Sequence, residues 1–175
     1  MKKLFFSGIL LFAVACHQKD PTPSGPNTFS CQIEGRDFTP YIAPTLFVTP
    51  PKALETGSYN RRGGLVIEAR TSFDELTIWL LAARSPGTYQ LGKGTPYWKP
   101  SGNYATYTST PPAPASGPLL PISYYFTDSA AVGTVTLIRY DTVAHVASGT
   151  FSYTAREITT GKLAHLTNGR FDVAL

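Results

Sequence analysis

The stretch Gly133–Arg156, GTVTLIRYDTVAHVASGTFSYTAR, constrains the fold more than any other part of the chain. It reads as two long strands folded back on each other at Asp141–Thr142–Val143–Ala144. On the second arm Ala147, Phe151, Tyr153 and Ala155 fall on one side, and Val146, Ser148, Thr150, Ser152 and Thr154 on the other. That is the two-residue period of a half-buried antiparallel strand. Val135 and Leu137 of the first arm join Phe151 and Tyr153 on the core face. Thr134 and Thr136 take the wetter face, where threonines suit cross-strand positions.

The rest of the chain divides into pieces of strand length. Phe29–Ile33 is one, with Glu34–Gly35–Arg36–Asp37 as its turn. Tyr41–Val48 is at best an edge strand, because Pro40, Pro44, Pro50 and Pro51 surround it. Leu65–Arg70 and Leu76–Ala83 form a hairpin around Ser72–Phe73–Asp74. The second arm, LTIWLLAA, is apolar on both faces and fits a central strand covered from two sides. A short helix with Asp74 as N-cap also fits; Thr77–Ile78–Trp79 and the stop at Pro86–Gly87 favour the strand. Thr88–Leu91, Tyr104–Thr108, Ile122–Thr127, Leu163–Leu166 and Phe171–Leu175 complete the set. Asn168–Gly169 is either a tight type I′ turn or a bulge within one long final strand. Many short strands with frequent turns and no repeat period give an all-β domain, an antiparallel β-sandwich with a jelly roll among its arrangements.

At 175 residues the chain suits one domain with a sizeable core. Charged residues are 15% of it, against roughly 25% in an average soluble domain. The formal net charge of +4 falls to +2 once Lys2 and Lys3 leave with a leader. The remaining bases are scattered, apart from Arg61–Arg62, so no nucleic-acid partner is expected.

The N-terminus carries the most specific sequence pattern. Lys2–Lys3 form a basic start, and Leu4–Val14 an apolar run too short to span a bilayer. Ala13–Val14–Ala15 then precede Cys16. An A-x-A site alone gives ordinary secretion with Cys16 as first mature residue. A small residue before cysteine after an apolar run also resembles the lipobox of bacterial lipoproteins, although the usual leucine three residues before the cysteine is Ala13. Residues 1–15 are accordingly expected to be a signal peptide, 16–28 a lipidated Cys16 with a flexible tether, and 29–175 the β domain. The tether HQKDPTPSGPNT cannot bury apolar surface, and His17 within it reads as solvated. With Cys16 lipidated, Cys31 has no intramolecular partner, and the alternation of Phe29, Cys31 and Ile33 makes it a small buried core residue.

Taken in order, the leader's cysteine, FSCQIEGRDF, LVIEA, GTYQLG, GTVTLIRYD, SGTFSYTA and LTNGRFDVAL resemble a family of uncharacterised small lipoproteins of Bacteroidota, defined as a domain of unknown function. The resemblance covers essentially the whole mature chain, with Ser109–Pro121 as a proline-rich insertion. Its sharpest motifs, GTFSYTA and TNGRFDV, belong to the framework. It implies an envelope location and a β fold, and brings no activity or site residues.

Local chemistry adds little. His145 and His165 lack any metal-ligand spacing. Ser148–Gly149 lies mid-strand, where a bulge fits better than a nucleophile. Glu68, Asp74 and Glu75 could act as acid and base only beside another carboxylate, and Gly92–Lys93–Gly94 lacks the spacing of a phosphate loop. No enzyme, cofactor or metal is expected. What remains is Thr95–Thr108, where Tyr97, Trp98, Tyr104 and Tyr107 crowd a Pro- and Gly-rich stretch. Rings on loops make platforms for sugars or protein partners, with Trp98 as anchor; the alternative is that they cap the core. The reading is a non-catalytic outer-membrane lipoprotein of the cell envelope, held by lipid on Cys16, that binds a glycan or a protein. The alternative is a structural or accessory lipoprotein without a soluble ligand.

Overall fold

The computed structural model describes residues 27–44, 49–58, 63–81, 83–93, 102–118 and 120–175. Among these the chain is all-β, with eleven strands and no helix. They are β1 (Thr28–Ile33), β2 (Arg36–Phe38), β3 (Leu54–Gly57), β4 (Leu65–Arg70), β5 (Asp74–Leu80), β6 (Gly87–Leu91), β7 (Tyr104–Ser109), β8 (Ser123–Phe126), β9 (Gly133–Asp141), β10 (Val146–Glu157) and β11 (Leu163–Ala174). All pair antiparallel in one continuous sheet of order β2-β1-β11-β10-β8-β7-β5-β4-β3, curled into a half-barrel. The walls expected of a sandwich are thus parts of a single sheet.

β10 is the branch point. One of its edges pairs β11 along nearly its whole length. The other pairs β9 from Val146 to Tyr153, then β8 at Arg156 and Glu157, and β6 lies beyond β9. Alternation holds as the residues predict: Val135, Leu137, Ala147, Phe151, Tyr153 and Ala155 are buried. The ring of Phe151 packs against Phe29 at 5.1 Å and Phe171 at 6.4 Å. The β9–β10 turn is held by Asp141, whose Oδ1 accepts the N–H groups of Val143 and Ala144. Those bonds, with the Arg139 guanidinium, hold its carboxyl below the usual range.

Two bulges shape this wall. One sits where β9 passes Ser148 and Gly149, with Ile138 as the extra residue. The other lies within β11, which is one continuous strand, so Asn168–Gly169 is a bulge and not a turn. The bulge also explains the irregular pattern of LTNGRFDV. Ala164 and Leu166 face inward, and after the extra residue the inward set shifts to Gly169, Phe171 and Val173.

β5 is a central strand between β4 and β7, as the two-sided apolar run implies. β2 and β3 fall where no strand was expected: Arg36 and Asp37, expected in a turn, pair with Ile33 and Gln32, and only Glu34–Gly35 turn the chain. In the proline-rich segment before β3, Tyr41 makes one bridge to Thr71, and residues 45–48 lie outside the described residues. β2 and β3 end the main path of the sheet, and no ladder joins them. Side chains span the gap instead. Arg36 Nη2 of β2 meets Asp74 Oδ2 of β5 at 3.0 Å, and the Thr56 hydroxyl of β3 donates to the Ala174 carbonyl of β11.

Cys31 is a buried free thiol between the rings of this core, and burial pushes its pKa up to about 12. A thiol so placed is almost wholly protonated near neutral pH and sterically screened. Maleimide should label it only after denaturation. Rapid labelling of the folded protein would show that β1 presents Cys31 outward.

Candidate functional site

The strand directions give the half-barrel two unlike ends. At one, β1 begins and β11 finishes: the Oδ1 of Asn27, the first described residue, accepts the Ala174 N–H at 3.1 Å, and Leu175 donates to His145 in the β9–β10 turn. Any tether before Asn27 leaves from here. At the other end lie the Glu34–Gly35 turn, the Thr71–Phe73 turn, the start of β8 and the β10–β11 turn.

That second end carries exposed apolar side chains. Phe73, Leu120, Ile122, Ile158 and Leu163 all sit there, and Tyr41, 65% exposed, joins them through its bridge to Thr71. Thr110 donates to the Phe73 carbonyl, and Ile158 to that of Tyr124, so the segments bearing these side chains are tied to neighbouring strands. Thr71 closes its own turn, its hydroxyl oxygen accepting the N–H groups of Phe73 and Asp74.

Beneath this rim is a polar cluster. Asp74 is 5% exposed at the start of β5 and accepts from Arg36 at 3.0 Å and from the Tyr107 hydroxyl at 2.8 Å. The Tyr107 ring stacks on Tyr125 at 5.1 Å. The Tyr107 hydroxyl is pushed up to about 12, chiefly by burial, with the Asp74 carboxylate adding and the Ser109 hydroxyl opposing. The bond to Asp74 raises the pKa of Arg36, whose side chain is 63% exposed. A buried carboxylate with two donors is satisfied, and its first role is to hold β2 against β5. No local motif could have revealed it, because its members come from three strands far apart in sequence.

β7 separates two of the aromatic residues singled out in the sequence. Tyr104 and Tyr107 are three positions apart, so a strand turns them to opposite faces. Tyr107 points into the core. Tyr104, only 8% exposed, lies on the outer wall stacked on Trp79 at 5.4 Å and 8°. These two rings share no platform. Tyr97, Trp98 and Lys99, like Cys16 and Arg61–Arg62, lie outside the described residues; the flanks of that loop meet where Lys93 donates to the Asn103 carbonyl at 3.1 Å.

The remaining titratable groups are dispersed. Glu55, Glu68 and Glu75 surround Arg70 on the outer wall. His165 meets the Thr154 hydroxyl at 3.1 Å, while His145 takes a positive φ in the β9–β10 turn. Among the described residues no group of three His, Cys, Asp or Glu side chains is arranged to hold a metal.

Compared with known proteins, residues 53–173 match the family model of a domain of unknown function, DUF6252. That span runs from the start of β3 almost to the end of β11, taking in Asp74 and Tyr107 but not Arg36. No curated protein and no solved structure matches the chain.

Proposed function

The chain belongs to the DUF6252 family, and from that premise we propose that it is a non-catalytic lipoprotein of the bacterial cell envelope, of the kind found in Bacteroidota. In this reading lipid on Cys16 holds it at the outer membrane, and the end of the half-barrel away from the tether docks a protein partner. The observation that carries the reading is the polarity of the fold. Asn27 lies at one end, while Tyr41, Phe73, Leu120 and Ile122 are exposed at the other. Val143 and Leu175 are exposed at the tether end, but the rings of Tyr41 and Phe73 lie at the far one. Clustered exposed apolar side chains mark interaction surfaces, and binding energy concentrates in a few aromatic anchors. Aliphatic Ile122 and Ile158, exposed at the same end as the rings, suit a protein surface better than a sugar face. The leader Leu4–Cys16 supports the anchor, since the two or three chains of a mature lipoprotein hold far more firmly than the marginal binding of one.

Two measurements test the reading together. Metabolic labelling with an alkyne fatty acid should mark the wild type and not Cys16→Ser. Crosslinking in intact envelopes should capture a defined partner with the wild type and lose it with the double variant Tyr41→Ala/Phe73→Ala, whose side chains are exposed and whose melting temperature should stay within a few degrees of wild type. Equal labelling of both cysteine forms would remove the anchor. Unchanged crosslinks in the double variant would remove the rim.

A further inference from the structure

The β11 bulge opens a second candidate surface, on the outer wall and independent of the rim. A groove of about 330 Å³ lies over it, lined among others by Ser30, Gln32, Asp37, Asn168 and Arg170. We propose that this groove binds an uncharged saccharide through hydrogen bonds to Asp37, Asn168 and Arg170.

The first support is the built shape of the site. Asn168 adopts φ +53°, a left-handed conformation that asparagine tolerates better than most residues. Gly169 beneath it lies so close to Phe151 that a Cβ would meet the ring at 2.5 Å. Bulges of this kind re-aim side chains. Here the extra residue puts Thr167, Asn168 and Arg170 all on the outer side of one strand.

The second support is the pattern of satisfied and open polar groups. Asn168 Nδ2 donates to Gln32 Oε1 at 2.9 Å, and Gln32 Nε2 donates to Asp37 Oδ1 at 3.1 Å. This relay fixes three side chains and leaves Asn168 Oδ1 and Asp37 Oδ2 with no donor among the described residues. Arg170 is the unusual arginine. Arg36, Arg70, Arg139 and Arg156 each pair with a carboxylate, and Arg84 donates to the Ala83 carbonyl. Arg170 has no such partner among the described residues, and it is exposed.

Donors and acceptors set side by side are what a sugar's hydroxyls require, since each hydroxyl both gives and accepts a hydrogen bond. One guanidinium and one carboxylate line the groove, so its charges cancel. A doubly charged phosphate would meet Asp37 as a like charge, whereas a neutral polyol meets no such penalty. Hydrogen-bonding side chains continue beyond the groove in one line across the wall. Thr88, Thr136, Thr150, Arg170 and Ser30 are successive lateral neighbours on β6, β9, β10, β11 and β1. A saccharide longer than one residue would find hydroxyl partners along that row.

The test is heteronuclear NMR on the isotope-labelled mature chain with a panel of neutral trisaccharides of gluco, manno and galacto configuration. Sialyllactose and inorganic phosphate serve as charged arms. A neutral sugar is expected to give saturable shifts at the amides of Gln32, Asn168 and Arg170. Arg170→Ala and Asp37→Asn should each weaken binding about tenfold or more, the loss of a charge-assisted hydrogen bond, without altering the rest of the spectrum. Asn168→Gly keeps the backbone conformation and should weaken binding similarly. The proposal is overturned if no neutral trisaccharide shifts these amides, if only sialyllactose or phosphate does, or if the three variants bind as tightly as wild type. Loss of the rim's protein crosslinks would leave these outcomes untouched.

Discussion

Phe151→Ala should destabilise the fold by about 3–5 kcal/mol, while Thr150→Ala beside it should change stability by well under 1 kcal/mol. The two positions are neighbours on β10 with opposite facing. Phe151 is buried among Phe29, Tyr153 and Phe171, and its removal leaves a cavity where three strands meet. The Thr150 side chain lies on the outer wall and loses only a partly exposed hydroxyl and methyl. Urea denaturation followed by circular dichroism gives both values with one assay. Equal losses would mean that the core face of the β9–β10 hairpin is assigned wrongly.

Gly149→Ala should cost about 3 kcal/mol, the upper end of what overpacking does to a closed core. Its backbone φ is not in the left-handed region, so the penalty is steric. A Cβ at this position would stand 2.2 Å from the Thr136 carbonyl oxygen and 2.9 Å from Cζ of Phe171. The first of these is backbone, so relief requires β9 and β10 to part. Gly57→Ala is the control: nothing lies within 4 Å of its Cβ, and β3 should accept it with a change under about 0.5 kcal/mol. If the two alanines prove equally mild, the close approach of β9 to β10 at the bulge is not rigid in solution.

Much of the scaffold was legible in the sequence because side-chain alternation is a local property. The hairpin Gly133–Arg156 and the facing of Phe29, Cys31 and Ile33 follow from counting by two, and the apolar run of β5 marks it as a central strand. Asn168–Gly169 was ambiguous for a physical reason, since the same dipeptide serves a tight turn and a bulge. Only the ladders on both sides of β11 decide between them. Three features escaped. β2 is three residues long and begins inside the expected turn Glu34–Asp37. β3 is four residues long with a polar, glycine-ended pattern, too short to show a period. The Arg36–Asp74–Tyr107 cluster depends on the curl of the whole sheet, and nothing within ten residues of any member points to the others. Tyr104 and Tyr107 were grouped by composition. Their spacing of three sets them on opposite faces of a strand.

The gap between β2 and β3 makes the molecule a split ring. In a closed barrel any change of girth must stretch a backbone ladder somewhere around the hoop. Here the hoop is interrupted, and its two lips are fastened at one end by an exposed guanidinium on a buried carboxylate and by the Tyr41 N–H on the Arg70 carbonyl, and at the other by a threonine hydroxyl on a carbonyl. None of these fasteners belongs to a ladder between the named strands, so each can open and close without disturbing one. The ring can therefore loosen by the width of a side chain while every ladder stays whole, and its compliance is concentrated along one line parallel to the strands.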